Sequence, residues 1–289
     1  MIDVLIIGKG PAGVSASLYT SRAGLSTVII GKTATLKRSL LIENYYGFKD
    51  GISGEKLLAD GEAQAIRFGA RIVEDEVLSV EYEFGGEYFT AKTKSDSFDA
   101  TAVLLATGSE VKSIRIRNLD RFIGKGIHYC VTCDGYFYRG KKVGVLGYTE
   151  YALHEVSEMR SFTSDITLLT NGRAAAGAPE GLKVNGKKIV SVAGDEYLKS
   201  VEYDDGTSEG FDGIFVAYGT ASSVDFARKL GISLNGDMIE VDGSMGTNLK
   251  GLYAAGDCCS SVKQIAIAVG QGAAAGLSIS EYIRKTRRQ

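Results

Sequence analysis

No stretch of apolar residues reaches the ~18 that a membrane-spanning helix needs. The longest candidate, residues 264–279, is interrupted by Gln271 and several glycines, so no membrane association is expected. The start, Met1-Ile2-Asp3-Val4-Leu5-Ile6-Ile7-Gly8, lacks the basic region and cleavage site of a secretory signal. It reads as a buried strand, and a cytoplasmic protein is the expectation. Tryptophan is absent and proline is limited to 2 residues. Neither sign of charge dominates: 33 Lys+Arg against 35 Asp+Glu leave a net charge of −2, which offers no broad attraction to DNA or RNA. The basic end, Arg284, Lys285, Arg287 and Arg288, reads as a solvated helix tail. Four cysteines, in the clusters Cys130/Cys133 and Cys258/Cys259, are too few for the disulfide framework of a small secreted scaffold. What the chain does have is 37 glycines, 44% hydrophobic and 24% charged residues, a globular balance. Its 289 residues suit two domains at about 150 residues each.

The glycines punctuate strands. Asp3 to Ile7 is an apolar β-branched run ending in Gly8-Lys-Gly10-Pro-Ala-Gly13; a helix-permitting stretch from Val14 to Ala23 and a second strand, Thr27 to Ile30, follow. This is β-turn-α-β with G-x-G-x-x-G at the turn, the dinucleotide-binding pattern. The first glycine permits the tight turn, the second lets backbone approach a pyrophosphate, and the third lets helix pack on strand. The helix then presents its positive dipole end to the phosphates. One expected feature is missing: Gly31 stands where a ribose-binding acid ends the second strand. A second strand-turn-helix begins at Lys142-Val-Gly-Val-Leu-Gly147 and runs through Tyr151 to Met159 to a strand at Asp165 to Leu169. Near the end, Leu249-Lys-Gly-Leu-Tyr-Ala-Ala-Gly256-Asp257 leads from a short strand into a glycine-acid turn, and Ile265 to Tyr282 is a small-residue helix. The fold class is α/β, with two Rossmann-like, three-layer domains.

Cys130-Val-Thr-Cys133-Asp134-Gly135 is the sharpest chemical feature. Two thiols three positions apart can close a small disulfide loop, and at the start of a helix one of them is favoured as thiolate, the species that attacks disulfides. Asp134 could carry the protons each exchange moves. Two other uses compete. Zinc wants about four ligands, and only His128 and the adjacent Cys258-Cys259 remain to supply them. A pair of buried structural thiols is the other.

Five segments together resemble one family: Gly8-x-Gly10-Pro11-Ala12-Gly13, Ile42-Glu-Asn44-Tyr-Tyr-Gly-Phe, Leu104-Leu-Ala106-Thr107-Gly108, Cys130-x-x-Cys133-Asp134-Gly, and Gly251-Leu-Tyr-Ala-Ala-Gly256-Asp257. In order and almost end to end, the chain is similar to the low-molecular-weight thioredoxin reductases. The resemblance implies FAD, with Gly8, Gly10, Pro11, Ala12 and Gly13 at the pyrophosphate, Ala106, Thr107 and Gly108 along the cofactor, and Asp257 on the ribitol chain. It also implies that Asn44, Val77, Gln264, Ile265 and Ala266 lie near the cofactor. The FAD domain would be built from both chain ends, 1–112 and 222–289, around an inserted central domain, 113–221, similar to the family's NADPH domain. Cys133 would face the isoalloxazine, Cys130 would attack the partner disulfide, and Asp134 would be acid/base. The resemblance implies a homodimer and thioredoxin as partner. Asn44 as a turn cap, Gln264 as a surface helix residue and Cys258-Cys259 as packing are the plainer alternatives.

The chain departs from the family in its centre. NADPH-dependent members carry a G-x-G-x-x-A turn there and a His-Arg-Arg cluster after the next strand. Here the turn reads Gly147-Tyr148-Thr149-Glu150-Tyr151-Ala152, and a β-branched residue is expected to be a poor fit to the backbone at position 149. After the strand comes Thr170-Asn171-Gly172-Arg173, with one arginine in place of the cluster, so a 2′-phosphate gains few charge-assisted bonds. Both departures argue against NADPH. A branch that is similar in this respect, the ferredoxin-dependent flavin thioredoxin reductases, keeps FAD and Cys-x-x-Cys without the NADPH motifs. A ferredoxin near −400 mV and a thioredoxin near −270 mV differ by about 130 mV, or ~6 kcal/mol for two electrons, downhill to the thiol. Ferredoxin is thus the expected donor, docking on Lys/Arg of the central domain or the tail. Three alternatives remain open here: a dithiol oxidase of the gliotoxin type, which usually carries His where Asp134 stands, an NADPH-dependent thioredoxin reductase, and a non-catalytic redox sensor.

Overall fold

The computed structural model describes the whole chain apart from Thr33, Gly86, 109–113, Ala176 and Gln289. It divides into two compact units, one made of Met1–Glu110 with Ser222–Gln289 and the other of Val111–Ala221.

The first unit starts with β1 (Ile2–Ile7), whose apolar run is buried because parallel strands cover both its edges. α1 (Pro11–Arg22) follows three residues earlier than the helix read from sequence, with Pro11 at its first turn, where a missing N–H costs nothing. β2 (Thr27–Ile30) pairs with β1 at Val4↔Thr27. α2 (Gly54–Arg67), capped by Ser53, leads to β3 (Arg71–Val73) beside β2. An antiparallel meander not anticipated from the sequence then follows: β4 (Val77–Glu83), β5 (Tyr88–Thr93) and β6 (Ser97–Leu105). β6 is shared, its first half pairing with β5 and its second half running parallel to β1.

The second unit has its own parallel sheet and a small antiparallel one. β7 (Ile127–His128) precedes a single helical turn, α3 (Val131–Asp134), and β8 (Val143–Leu146), α4 (Glu150–Met159) and β9 (Ile166–Leu169) repeat the strand-turn-helix-strand pattern. β10 (Lys183–Asn185) extends the sheet at β9. β11 (Ile189–Gly194), β12 (Leu198–Tyr203) and β13 (Ser208–Gly210) form the antiparallel sheet before β14 (Gly213–Val216) returns between β8 and β7. Its core includes Phe122, Ile127, Leu146, Val192, Val201 and Ile214.

The chain then re-enters the first unit through α5 (Ser223–Lys229), closed at its start by a Ser222/Asp225 capping box. A short hairpin, β15 (Leu234–Asn235) and β16 (Met238–Ile239), leads to β17 (Leu252–Ala254), which adds to the inner half of β6. α6 (Ile265–Thr286) packs on α1. Small residues make that possible: a Cβ on Gly272 would lie 2.1 Å from the Ala12 carbonyl oxygen, and one on Gly276 2.5 Å from that of Ala16. Gly272→Ala should therefore push the helices apart at a cost of about 1–3 kcal/mol. Thermal melting would read this as a fall of several degrees; an unchanged midpoint would show that the helices tolerate the separation.

Both units are α/β with parallel sheets, the two-domain Rossmann-like architecture expected from the sequence. No helix of the described residues is long and apolar enough to cross a membrane.

Candidate active site

In the first unit the turn after β1 is built so that side chains cannot intrude. Gly8 has φ +117°, and a Cβ there would lie 2.1 Å from the Ala106 carbonyl oxygen at the end of β6. A Cβ on Gly13 would lie 2.0 Å from the Gly8 carbonyl oxygen. These two glycines and Ala106 are thus locked together by backbone packing. Gly10 differs: among the described residues nothing lies within 4 Å of its Cβ position. That is open space in front of a helix end, the room a pyrophosphate needs. α1 and α6 have neither a side-chain cap nor an acid in the first turn, whereas α2 and α5 of the same unit are capped by Ser53 and Ser222. The uncapped N–H groups of Ala12 and Gly13, and those of Ile265 and Ala266, suit anionic or polar acceptors.

Other expected residues converge around this turn. Asn44 Nδ2 donates to Gln264 Oε1 at 3.0 Å, joining residues 220 positions apart immediately before α6. The Gly256-Asp257 turn meets α1, since a Cβ on Gly256 would lie 3.0 Å from Ala12 Cβ, and the Gly256 N–H donates to Gln271 Oε1. Thr107 and Ser223 are tied by reciprocal bonds, the Ser223 N–H donating to Thr107 Oγ1 at 2.8 Å and the Thr107 N–H to Ser223 Oγ at 3.2 Å. Ser223 was not found from the sequence, although the Ser222-Ser-Val-Asp225 cap pattern marks its helix. Gly108 follows, with no atom of the described residues within 4 Å of its Cβ position. Val77 is buried at the start of β4, paired with Thr93 of β5. Gly31 leaves no room for an acid, because a Cβ there would lie 2.9 Å from the Lys9 backbone nitrogen. Next to it Lys32 pairs with buried Glu76.

In the second unit Cys130 and Cys133 form a disulfide across α3. Cys130 is 5% exposed and caps the helical turn, its sulfur accepting from the Cys133 N–H at 3.1 Å, while Cys133 is exposed. Asp134 is held by His128, whose Nδ1 lies 2.8 Å from Asp134 Oδ2 and whose Nε2 lies 2.7 Å from the Tyr138 hydroxyl. Burial, with the Asp134 and Asp212 charges, pushes the Tyr138 phenol up, so it remains a neutral hydroxyl. Nothing in the linear spacing announced this network. Among the described residues, no three His, Cys, Asp or Glu side chains form a metal-ligating group.

The second glycine turn is closed. Gly147 packs so tightly that a Cβ would lie 2.1 Å from the Ala217 carbonyl oxygen. Thr149 shows no strain at all, contrary to the expectation from its branching: its φ of −111° and ψ of 177° are extended values that any residue adopts. Its side chain turns inward and donates its hydroxyl to the Gly219 carbonyl. Tyr148 and Tyr218 meet edge to face at 5.0 Å, and Arg173 lies over Tyr148 and bonds to Tyr218.

Cys258 and Cys259 follow Asp257. Hydrogen bonding to Cys259 and burial push the Cys258 thiol up, while the same bond lowers Cys259. The Cys258 thiol donates to the Leu105 and Ala255 carbonyls, a packing role at the sheet end.

A unit whose glycine turn offers a dinucleotide bare backbone, and another whose disulfide can take up two electrons and become a dithiol, define a nucleotide-dependent disulfide oxidoreductase. The pyridine nucleotide-disulphide oxidoreductase family matches residues 2–272. The chain is 32% identical to the thioredoxin reductase of Bacillus subtilis, over 98% of this chain and 95% of the other. It is 39% identical to an atypical thioredoxin reductase of Desulfovibrio vulgaris Hildenborough, with TM-score 0.95 and 99% of each chain covered. To a ferredoxin-flavin thioredoxin reductase of Clostridium acetobutylicum it is 29% identical, with TM-score 0.75, over 100% and 99%. The chain belongs to the pyridine nucleotide-disulphide oxidoreductase family, in its thioredoxin reductase branch. FAD is the cofactor, and the open Gly10 position with the uncapped helix ends fits it.

Proposed function

We propose that this disulfide oxidoreductase reduces thioredoxin with electrons from ferredoxin and not from NADPH. The observation that carries the choice of donor is the closed second turn. Thr149 occupies the phosphate space, and Arg173, the one cation of the Thr170–Arg173 stretch that follows β9, is already engaged by Tyr148 and Tyr218.

In this reading the first unit, with boundaries near 1–112 and 222–289, binds FAD through Gly8 to Gly13, Ala106 to Gly108, Asn44, Asp257 and Gln264 to Ala266. When bound, FAD can take electrons singly from an iron-sulfur donor and pass them on as a pair. Cys133 receives that pair, Cys130 attacks the partner disulfide, and Asp134 handles the protons. The Cys133 N–H directed at the Cys130 sulfur stabilises thiolate there once the bridge opens. Because Cys130 is shielded and Cys133 exposed as found, this order of events requires Cys130 to become accessible during turnover. Exposed Tyr136 and Phe137, just beyond the pair, offer apolar contact area to thioredoxin.

A cytoplasmic homodimer completes the reading. The tail is a weaker docking candidate for ferredoxin than its charge suggests, because Arg287 is paired with Asp3 and Lys285 with Glu281.

The test uses purified holoprotein. Reduced ferredoxin should support thioredoxin reduction, while NADPH bleaches the flavin slowly or not at all. Thr149→Gly alone should not confer NADPH use, because Tyr148, Tyr218 and Arg173 still cover the turn. Rapid bleaching of the parent protein by NADPH would overturn the choice of donor.

A further inference from the structure

We propose that His128 is a positioning residue of the thiol-disulfide exchange: clamped by Tyr138 and Phe215, it fixes the Asp134 carboxyl group and shares with it the proton taken up by the first leaving sulfur. This rests on the reading of Cys130–Cys133 as the centre that reduces an external disulfide.

The ring is held from several sides. His128 lies on β7 in register with Phe215 of β14, stacks on that ring at 5.3 Å and meets the Tyr138 ring edge-on at 5.2 Å. Both of its nitrogens are bonded, at 2.8 Å to Asp134 and 2.7 Å to Tyr138. The side chain of His128 is 10% exposed against 35% for Asp134, and Tyr138 is 8% exposed. The three groups thus form a line from interior to surface, ending on the residue after Cys133.

Such a line can hold one extra proton without breaking a bond. With neutral imidazole, the Tyr138 hydroxyl donates to Nε2, which leaves the Nδ1–H to donate to Asp134 carboxylate. With imidazolium, Nε2–H donates instead and the hydroxyl oxygen accepts. The other charged groups around the line are Lys141, whose Nζ lies 5.4 Å from the centre of the Tyr138 ring, and Asp212, which acts on Tyr138. From α4, Glu155 accepts the Val131 N–H at 3.4 Å. Phe215 closes the remaining face without charge.

The exchange balances as follows. Cys130 thiolate attacks one sulfur of the partner disulfide; that S–S bond breaks, a mixed disulfide forms, and the departing sulfur takes the proton held by Asp134 and His128. Cys133 thiol then gives its proton to Asp134 carboxylate and attacks Cys130 Sγ. The Cys130–Cys133 bond re-forms, and the second partner sulfur leaves and takes that proton. The partner gains two electrons and two protons, and the Cys pair is oxidised.

Two disulfide probes separate proton delivery from structure. Holoprotein reduced with dithiothreitol and freed of it is mixed with 5,5′-dithiobis(2-nitrobenzoic acid), whose aryl thiolate departs unprotonated, or with bis(2-hydroxyethyl) disulfide, whose alkyl thiolate is a poor leaving group. His128→Asn should slow the alkyl reaction by roughly 100-fold, while the aryl rate stays within about twofold of the parent. Tyr138→Phe, which removes only the Nε2 bond, should slow the alkyl reaction severalfold with the aryl rate unchanged, and it decides the matter if His128→Asn fails to fold. Equal slowing with both probes, or no slowing with either, would overturn the role of His128. If the parent protein reduces the alkyl probe but not thioredoxin, the thioredoxin reading fails while the role of His128 is still decided by the probes.

Discussion

Cys130→Ser should lower thioredoxin reduction by at least about 10³-fold while the purified protein stays yellow with bound FAD. A serine hydroxyl keeps the size and the hydrogen-bonding ability of the thiol but is scarcely ionised at neutral pH, so it neither attacks a disulfide nor re-forms one. FAD is retained because the residues assigned to it belong to the first unit, which has its own core of Val4, Ile6, Ile29, Leu104, Ala275 and Ile279. The companion variant, Cys133→Ser, separates the roles of the two sulfurs. It leaves Cys130 able to attack but removes the thiol that resolves the mixed disulfide, so a covalent adduct with thioredoxin should accumulate on a non-reducing gel and disappear with dithiothreitol. The present exposures make this a real test, since Cys130 is shielded and Cys133 is open. An adduct trapped by Cys130→Ser in place of Cys133→Ser would reverse the assignment, and normal turnover in either variant would remove the pair from the reaction.

The closed second turn and the open first one share an origin, and comparing them shows what the sequence could and could not convey. Gly8 and Gly147 each lie against a neighbouring strand-end carbonyl, Ala106 and Ala217, at nearly the same hypothetical Cβ distance of 2.1 Å. Both were legible because a strand followed by glycine and a helix encodes a backbone approach that only glycine permits. At the next glycine position the substitution was legible but its geometry was not. Thr149 sits in the turn without strain, since its conformation is extended. Which groups would cover the turn could not be read either, because Tyr148, Arg173 and Tyr218 come from three separate loops. The same holds for His128. In the sequence it was only a possible zinc ligand, and its bonds to Asp134 and Tyr138 exist because β7 and the chain after α3 bring residues six and ten positions away onto one ring. By contrast, the bond between Asn44 and Gln264 spans 220 positions, yet both residues had been singled out by the family resemblance. Motifs conserve local backbone geometry; side-chain networks depend on where distant segments pack.

Gly10→Asp should give a folded protein that purifies colourless, a result that separates cofactor recognition from folding. Among the described residues nothing lies within 4 Å of the Cβ position at Gly10, and its φ of −81° and ψ of −176° are open to any residue, so the substitution introduces neither clash nor strain. An aspartate at an N-cap also accepts from the first N–H groups of the helix, favouring α1 by a few tenths of a kcal/mol over glycine. The same carboxylate takes the donors that a pyrophosphate would use and adds negative charge against it, and at an effective dielectric near 20 two unit charges ~4 Å apart repel by about 4 kcal/mol. The expected loss of FAD affinity is therefore at least about 10²-fold, measured by flavin release and by titration of the apoprotein. The thermal midpoint of the variant should match that of parent apoprotein and fall below that of parent holoprotein, by the stabilisation that bound ligand contributes. Gly8→Ala is the necessary contrast: its Cβ would meet the Ala106 carbonyl at 2.1 Å, at a φ of +117°, so the apoprotein itself should lose stability. A yellow Gly10→Asp protein with parental affinity would show that the pyrophosphate does not lie in front of α1, and the assignment of the first unit would have to be abandoned.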